Sequence, residues 1–248
     1  MKAAALACAA LLATSSAARP EGVEYVVAAT SRPGEALLGG APEAWADAEH
    51  VAWGPSPYET DFSALWSEDA LFLRFAARDD APWHTLTHRD DHLWEEEVVE
   101  IFLDLDRSGR DYAELEISPG NVVCDVRMVQ PSPDKKMDLS WNLDGLETRV
   151  LPWRDGAGRS TGWIALARLP WRGFRSLPSA ARISLPPRPG DRWRFNLFRV
   201  ERPGGKDQPE KGVVEAAWSP TGQASFHVPA AFRDFVFAPA AGKGQRRR

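Results

Sequence analysis

The sequence predicts an all-β protein: a single-domain antiparallel β-sandwich, jelly-roll or immunoglobulin-like, with long loops. Three observations predict it. Apolar residues recur with period two along most of the chain, the spacing that places alternate side chains on one face of a strand. Clusters of Gly, Pro, Asp and Asn break these runs at short intervals, as turns between strands do. No long amphipathic helix, internal repeat or domain-parting linker interrupts the pattern.

The elements follow in order. Residues 23–29 read as a first strand, and Pro42 opens a short helical turn over 42–49. Ala64-Leu65-Trp66 leads into a turn at Ser67-Glu68-Asp69, and 71–77 forms the returning strand. The clearest hairpin pairs 98–103 with 112–117 across a turn at 104–111, and 122–129 follows. Residues 131–142 are polar and read as loop. A second hairpin pairs 146–152 with 162–169, and 171–177 is a short helix. The rigid Pro186-Pro187-Arg188-Pro189-Gly190 turn feeds a strand over 193–200. Residues 201–212 form a polar loop, and 232–237 is the last strand.

The ends read differently. Lys2, a short Ala- and Leu-rich run and Ser16-Ala17-Ala18 have the three parts of an export signal, so residues 1–18 are expected to be cleaved. The folded part is then 19–238, and 239–248, ending Arg246-Arg247-Arg248, is a disordered basic tail. The product is exported, periplasmic or secreted. No stretch is apolar for the about 20 residues that a membrane span needs. With 44% hydrophobic and 26% charged residues the chain is globular, and a net charge of −5 without a basic stripe argues against a nucleic-acid partner. Of the two cysteines, Cys8 leaves with the signal and Cys124 reads as a core residue of a Val-rich strand.

One segment concentrates polar chemistry. In Trp94-Glu95-Glu96-Glu97-Val98-Val99-Glu100-Ile101-Phe102-Leu103-Asp104, alternation puts Val99, Ile101 and Leu103 on an apolar face. Trp94, Glu100, Phe102 and Asp104 fall on the other, provided the strand runs back to Trp94. The partner strand repeats this, with Tyr112, Glu114 and Glu116 on its mixed face. Like charges on adjacent strands need compensation, and Arg194, on one face with Asn196 and Phe198, is a candidate partner. Carboxylates beside flat aromatic rings suit sugars, which offer vicinal hydroxyls and an apolar C–H face. The competing reading is a solvated outer face carrying ordinary ion pairs.

Together, Trp94 to Asp104, Tyr112-Ala113-Glu114-Leu115-Glu116-Ile117 and Pro189-Gly190-Asp191-Arg192-Trp193-Arg194-Phe195-Asn196 resemble the family 9 carbohydrate-binding modules. Trp218-Ser219-Pro220 and Phe226-His227-Val228-Pro229, followed by Phe232, extend the resemblance, and the 82–90 segment is similar to one in stand-alone secreted members. It covers roughly residues 23–237 and implies a β-sandwich related to the DOMON superfamily. It also implies non-catalytic sugar binding between two aromatic rings, in support of polysaccharide capture or catabolism. Trp94 matches one ring and Glu100 a polar ligand; Phe226 stands where the second ring is Trp, and Glu116 where those members carry Arg. The expected ligand set, from the resemblance and the strand faces together, is Trp94, Glu97, Glu100, Glu116, Asn196, Phe226 and His227, with Arg194, Arg199 and Trp218 in support. No cofactor is expected beyond structural calcium, and a glycoside hydrolase is the implied protein partner.

Other chemistries stay open at this point. Asp104-Leu105-Asp106-Arg107-Ser108-Gly109 resembles the start of a calcium loop but lacks the closing Glu, since Leu115 stands there. Glu100 and Glu116 have the residue types of a glycosidase acid and base. A haem-binding DOMON-type domain would draw axial ligands from Met128, Met137 and His227. His84, His88 and His92 recur every four residues and read as solvated loop histidines. An assembly sandwich without a small ligand is a further alternative.

Overall fold

A computed structural model describes residues 24–240. The expected leader and residues 241–248 of the expected tail lie outside it.

Thirteen strands occupy the described residues. They are β1 (Glu24–Ala29), β2 (His50–Trp53), β3 (Thr60–Trp66), β4 (Ala70–Arg78), β5 (Val98–Asp104), β6 (Tyr112–Ile117) and β7 (Val123–Gln130). The remainder are β8 (Lys136–Asp138), β9 (Glu147–Arg154), β10 (Ser160–Pro170), β11 (Arg192–Glu201), β12 (Val214–Ala217) and β13 (Arg233–Ala238). They run in one curled ladder, β8-β7-β6-β5-β11-β13-β1-β3-β4-β10-β9, with β12 beside β11 and β2 beside β3. The ladder is mixed rather than wholly antiparallel, because β1 lies parallel to both β13 and β3. Chain ends distant in sequence need no tight turn to pair this way.

The two arms of the ladder close face to face, and the main core lies between them. Val99, Ile101 and Leu103 of β5, Leu115 of β6 and Phe195 and Leu197 of β11 meet Phe62, Leu73, Phe75 and Trp163 of the opposite arm. The aromatic share is large: Phe62 and Phe75 stand 4.9 Å apart, and Phe195 and Phe235 4.7 Å, separations at which tilted rings attract. A small second cluster covers the back of the β3–β4–β10 arm. There the short helix α1 (Gly34–Leu38) and Trp45 pack Leu37 and Leu38 onto Leu65, Phe72 and Leu166.

The back of the β5–β6–β7 arm is the mixed face, and it is not solvated. Val98, Phe102, Tyr112, Cys124, Val126, Met128 and Phe198 are all buried there, under Leu93, Phe226 and Phe232. Two loops do the covering. In the first, the Glu96 carboxylate accepts the backbone N–H groups of Thr85 and Leu86 as well as the Thr85 hydroxyl. The second runs back over the sheet from 224 to 232, ending at the turn Pro229–Ala231.

Candidate functional site

Between these covering loops the mixed face opens as a pocket of about 270 Å³. Its floor is built by strand register. Glu100 of β5 stands directly opposite Glu116 of β6, and Glu114 is the next residue of β6 on the same face. All three are buried, at 2%, 1% and 4% exposure. Burial first, and then the neighbouring carboxylates, hold the Glu100 and Glu116 carboxyls well above the ordinary range. Burial also pushes Glu114 up to about 7, against a hydrogen bond with Glu116 and the charge of Lys135.

Aromatic rings form the walls. Trp94 is not on β5, which begins at Val98; it sits in a one-turn 3₁₀ segment, Leu93–Glu95. Leu93 anchors that turn in the core, and Trp94 is left half-buried at the rim. The Arg202 guanidinium donates to the Trp94 carbonyl at 3.2 Å, and the His92 ring stacks on the indole at 4.4 Å. Phe226 stacks on Phe198 at 4.2 Å. Each wall thus has one ring face backed by the protein, and both rings line the same pocket.

His227 closes one side. Lys135 Nζ lies 3.5 Å from its Nε2 and can only donate, so Nε2 accepts and Nδ1–H donates to Tyr112 Oη at 3.1 Å. Burial, with the Lys135 charge, lowers the imidazole to about 3. The ring is therefore neutral, and its 3.9 Å approach to Glu114 is no ion pair.

Several expected ligands have other duties. Asn196 shares the face of Glu100 but is fully buried; its amide donates to the Ser219 carbonyl and its oxygen accepts the Ser219 and Leu197 N–H groups. Arg194 pairs in register with Asp104, four residues or about 13 Å along β5 from Glu100, so it does not balance the floor. Glu97 and Arg199 have the opposite parity and point between the sheets, where Arg199 meets Asp79 and Glu201. Trp218 packs on Phe195 at 4.9 Å, in the main core. The pocket instead brings Glu114, Lys135, Arg202 and Glu215 beside Trp94, Glu100, Glu116, Phe226 and His227. Arg202 was traceable, since even positions of β11 continue the mixed face past Val200. Lys135 carried no signal in its polar segment.

The remaining motifs resolve locally. In the Asp104 turn, Gly109 N–H donates to Asp104 at 2.9 Å, Ser108 N–H to Asp106 at 3.1 Å, and Arg182 pairs with Asp106. Met128 is buried beside Phe102 and Tyr112 and faces Met137 across the β7–β8 pair. His88 lies against Asp91 and His92 against Glu95, at 3.6 and 3.5 Å. Among the described residues no helix is long and apolar enough to cross a membrane.

This fold is shared with known proteins. The chain is similar to a family 9 carbohydrate-binding module from Caldicellulosiruptor kristjanssonii in complex with cellotriose, with a TM-score of 0.61 and 13% identity over 91% of this chain and 99% of that one. The same source supplies a glucose complex, at a TM-score of 0.59 and 13% identity over 90% and 100% of the two chains. At this identity the likeness establishes the fold, which is that of the family 9 modules. In sequence, the chain is 25% identical over 182 residues to a protein of Arthroderma benhamiae named "Extracellular protein", covering 72% of this chain and 78% of that one. No protein-family model matches.

Proposed function

We propose that this protein is a non-catalytic carbohydrate-binding module, which takes a sugar into the Trp94–Phe226 pocket outside the cytoplasm in support of polysaccharide capture. One observation carries the reading: two aromatic rings, each with one face backed by the protein, border a pocket whose floor is carboxyl groups. A pyranose presents an apolar face to such rings and hydroxyl donors to such a floor. The two structural neighbours determined with cellotriose and glucose, and the relative named as extracellular, support it. A glycoside hydrolase acting on the same polymer is the natural partner.

Catalysis fits the floor poorly. A glycosidase needs two carboxyl groups flanking the scissile bond, about 5–5.5 Å or 6.5–9.5 Å apart. Here Glu100, Glu114 and Glu116 stand side by side on one sheet face, each offering an oxygen to the same point, rather than on opposite sides of a bound substrate.

The test is a glycan array followed by calorimetric titration of the hits. Removing one wall as Trp94→Ala is expected to cost about 1.5–3 kcal/mol of binding, a fall in affinity of at least about tenfold. Phe226→Ala should act in the same direction. An array without hits, or unchanged affinity in the Trp94 variant, sinks the reading.

A further inference from the structure

Two trios of buried carboxylates lie against the β5–β6–β11 arm, one on each face. Asp79, Glu97 and Glu201 lie between the sheets, and Glu100, Glu114 and Glu116 floor the pocket. In each trio, one oxygen from every residue lies within 4.8 Å of the others. Their compensation differs. The inner trio holds the fully buried Arg199, whose guanidinium reaches Asp79 at 3.5 Å and bonds Glu201. The pocket trio has no Arg or Lys ion pair within 4.0 Å among the described residues, and Lys135, whose charge acts on all three carboxyls, is exposed and lies against His227.

A second observation concerns the oxygens themselves. Apart from the contact between Glu114 and Glu116 themselves, neither oxygen of Glu116 has a hydrogen-bond donor at 1% exposure, and Glu100 Oε1 and Glu114 Oε2 likewise have none from the rest of the protein. Four buried acceptors therefore converge with no donor from outside the trio. Native proteins rarely leave such atoms unpaired, and each one needs a donor, a water or an ion. Oxygens this close can touch one central ion at the about 2.3–2.6 Å of calcium–oxygen contacts after shifts of a few tenths of an ångström. An all-oxygen donor set suits a hard cation rather than a thiophilic one.

We propose that Glu100, Glu114 and Glu116 bind a divalent cation of the calcium class, with its outward coordination positions open to the pocket. The cation stands in for the guanidinium that the inner trio has and this one lacks. Calcium takes about six to eight oxygen ligands, so the trio leaves positions for oxygens from the pocket side. That these are ligand hydroxyls rests on the carbohydrate reading; the ion site itself does not.

Chelator-stripped protein titrated with calcium chloride is expected to bind one ion. Glu116→Gln should weaken that binding at least tenfold, whereas Glu97→Gln, in the Arg199 trio, should leave it unchanged. Should the Glu116 variant fail to fold, wild-type crystals soaked in terbium chloride locate the ion by anomalous scattering, with the peak expected among the three carboxylates. The proposal is overturned by a peak only elsewhere, by no binding up to about 10 mM, tenfold beyond the weak end of extracellular calcium modules, or by unchanged affinity in a folded Glu116→Gln. Glycan hits restricted to amino sugars, with no calcium binding, would assign the trio to an ammonium group and equally overturn it. No sugar enters the calcium titration, so its failure leaves the carbohydrate reading standing. Glycan affinity that a chelator does not change overturns only the assignment of the outward positions to ligand hydroxyls.

Discussion

At the residue scale, this protein buries carboxyl groups where most proteins bury hydrocarbon. Asp104 shows the consequence without the complication of a trio. It is fully buried at the end of β5, and burial, helped by Asp106, raises its carboxyl from 3.8 to about 6 despite the Gly109 N–H it accepts and the charge of Arg194. A carboxyl raised by folding holds its proton more tightly in the folded state. Its contribution to stability is therefore complete below about pH 4 and lost as pH rises through about 6. Asp104→Asn keeps an acceptor for Gly109 but cannot ionise. Its stability relative to wild type should climb between pH 4 and pH 6 by on the order of 2 kcal/mol, then level off. Urea midpoints for both proteins across that range test it; a difference independent of pH would show that Asp104 is not the titrating group.

At the element scale, the strands most legible in sequence are those whose alternation is long. Residues 112–117 were expected as a strand and β6 spans Tyr112–Ile117, while 98–103 became β5 with one residue added. Strands β2, β8 and β12 escaped notice. β8 is only Lys136–Asp138 and β12 only Val214–Ala217, too short for a period to appear; each exists because a partner strand supplies its hydrogen bonds. Gly162 marks another feature set by a partner. The β9–β10 register slips between Ser160 and Gly162, and Gly162 adopts φ 154°, where an added Cβ would stand 2.0 Å from the Ala77 carbonyl oxygen. Because a backbone atom obstructs it, the strand itself must move. Gly162→Ala is expected to cost more than about 2 kcal/mol, read as a lower denaturant midpoint; a loss below about 0.5 kcal/mol would mean that the β4–β10 pair yields readily.

At the scale of the whole molecule, one buried residue balances the carboxylate trio inside the sandwich. Arg199 is the counter-ion of Asp79, Glu97 and Glu201 and lies over the Trp163 ring at 4.9 Å, tying β11 to the opposite arm. Burial, with the charges of Glu201 and Asp79, already pushes Glu97 up to about 10. Arg199→Met fills similar volume but leaves the carboxylates uncompensated, and should destabilise the fold by about 3–5 kcal/mol. Adding Glu201→Gln should recover part of that loss, because it removes a charge the arginine had balanced. Thermal unfolding of the single and double variants checks this; equal losses in both would show that packing, not charge, is what Arg199 provides.

The sequence by itself determined the all-β class, most strand positions, and which side chains share a face, because period-two alternation is a property of local backbone geometry. It placed Glu100 and Glu116 together and set Ile101 and Leu103 against them. It did not determine which faces are covered. That was decided by the loops over 82–97 and 224–232, held by contacts between residues far apart in the chain, such as Arg202 to the Trp94 carbonyl and Tyr112 to His227. Covering turned an apparently solvated acidic face into a buried floor. Elsewhere the tertiary fold holds Asn196 on Ser219 and brings Lys135 and Arg202 to a pocket for which Arg194 had been the expected partner. Strand parity is written in neighbouring residues, whereas burial depends on what the rest of the chain lays on top.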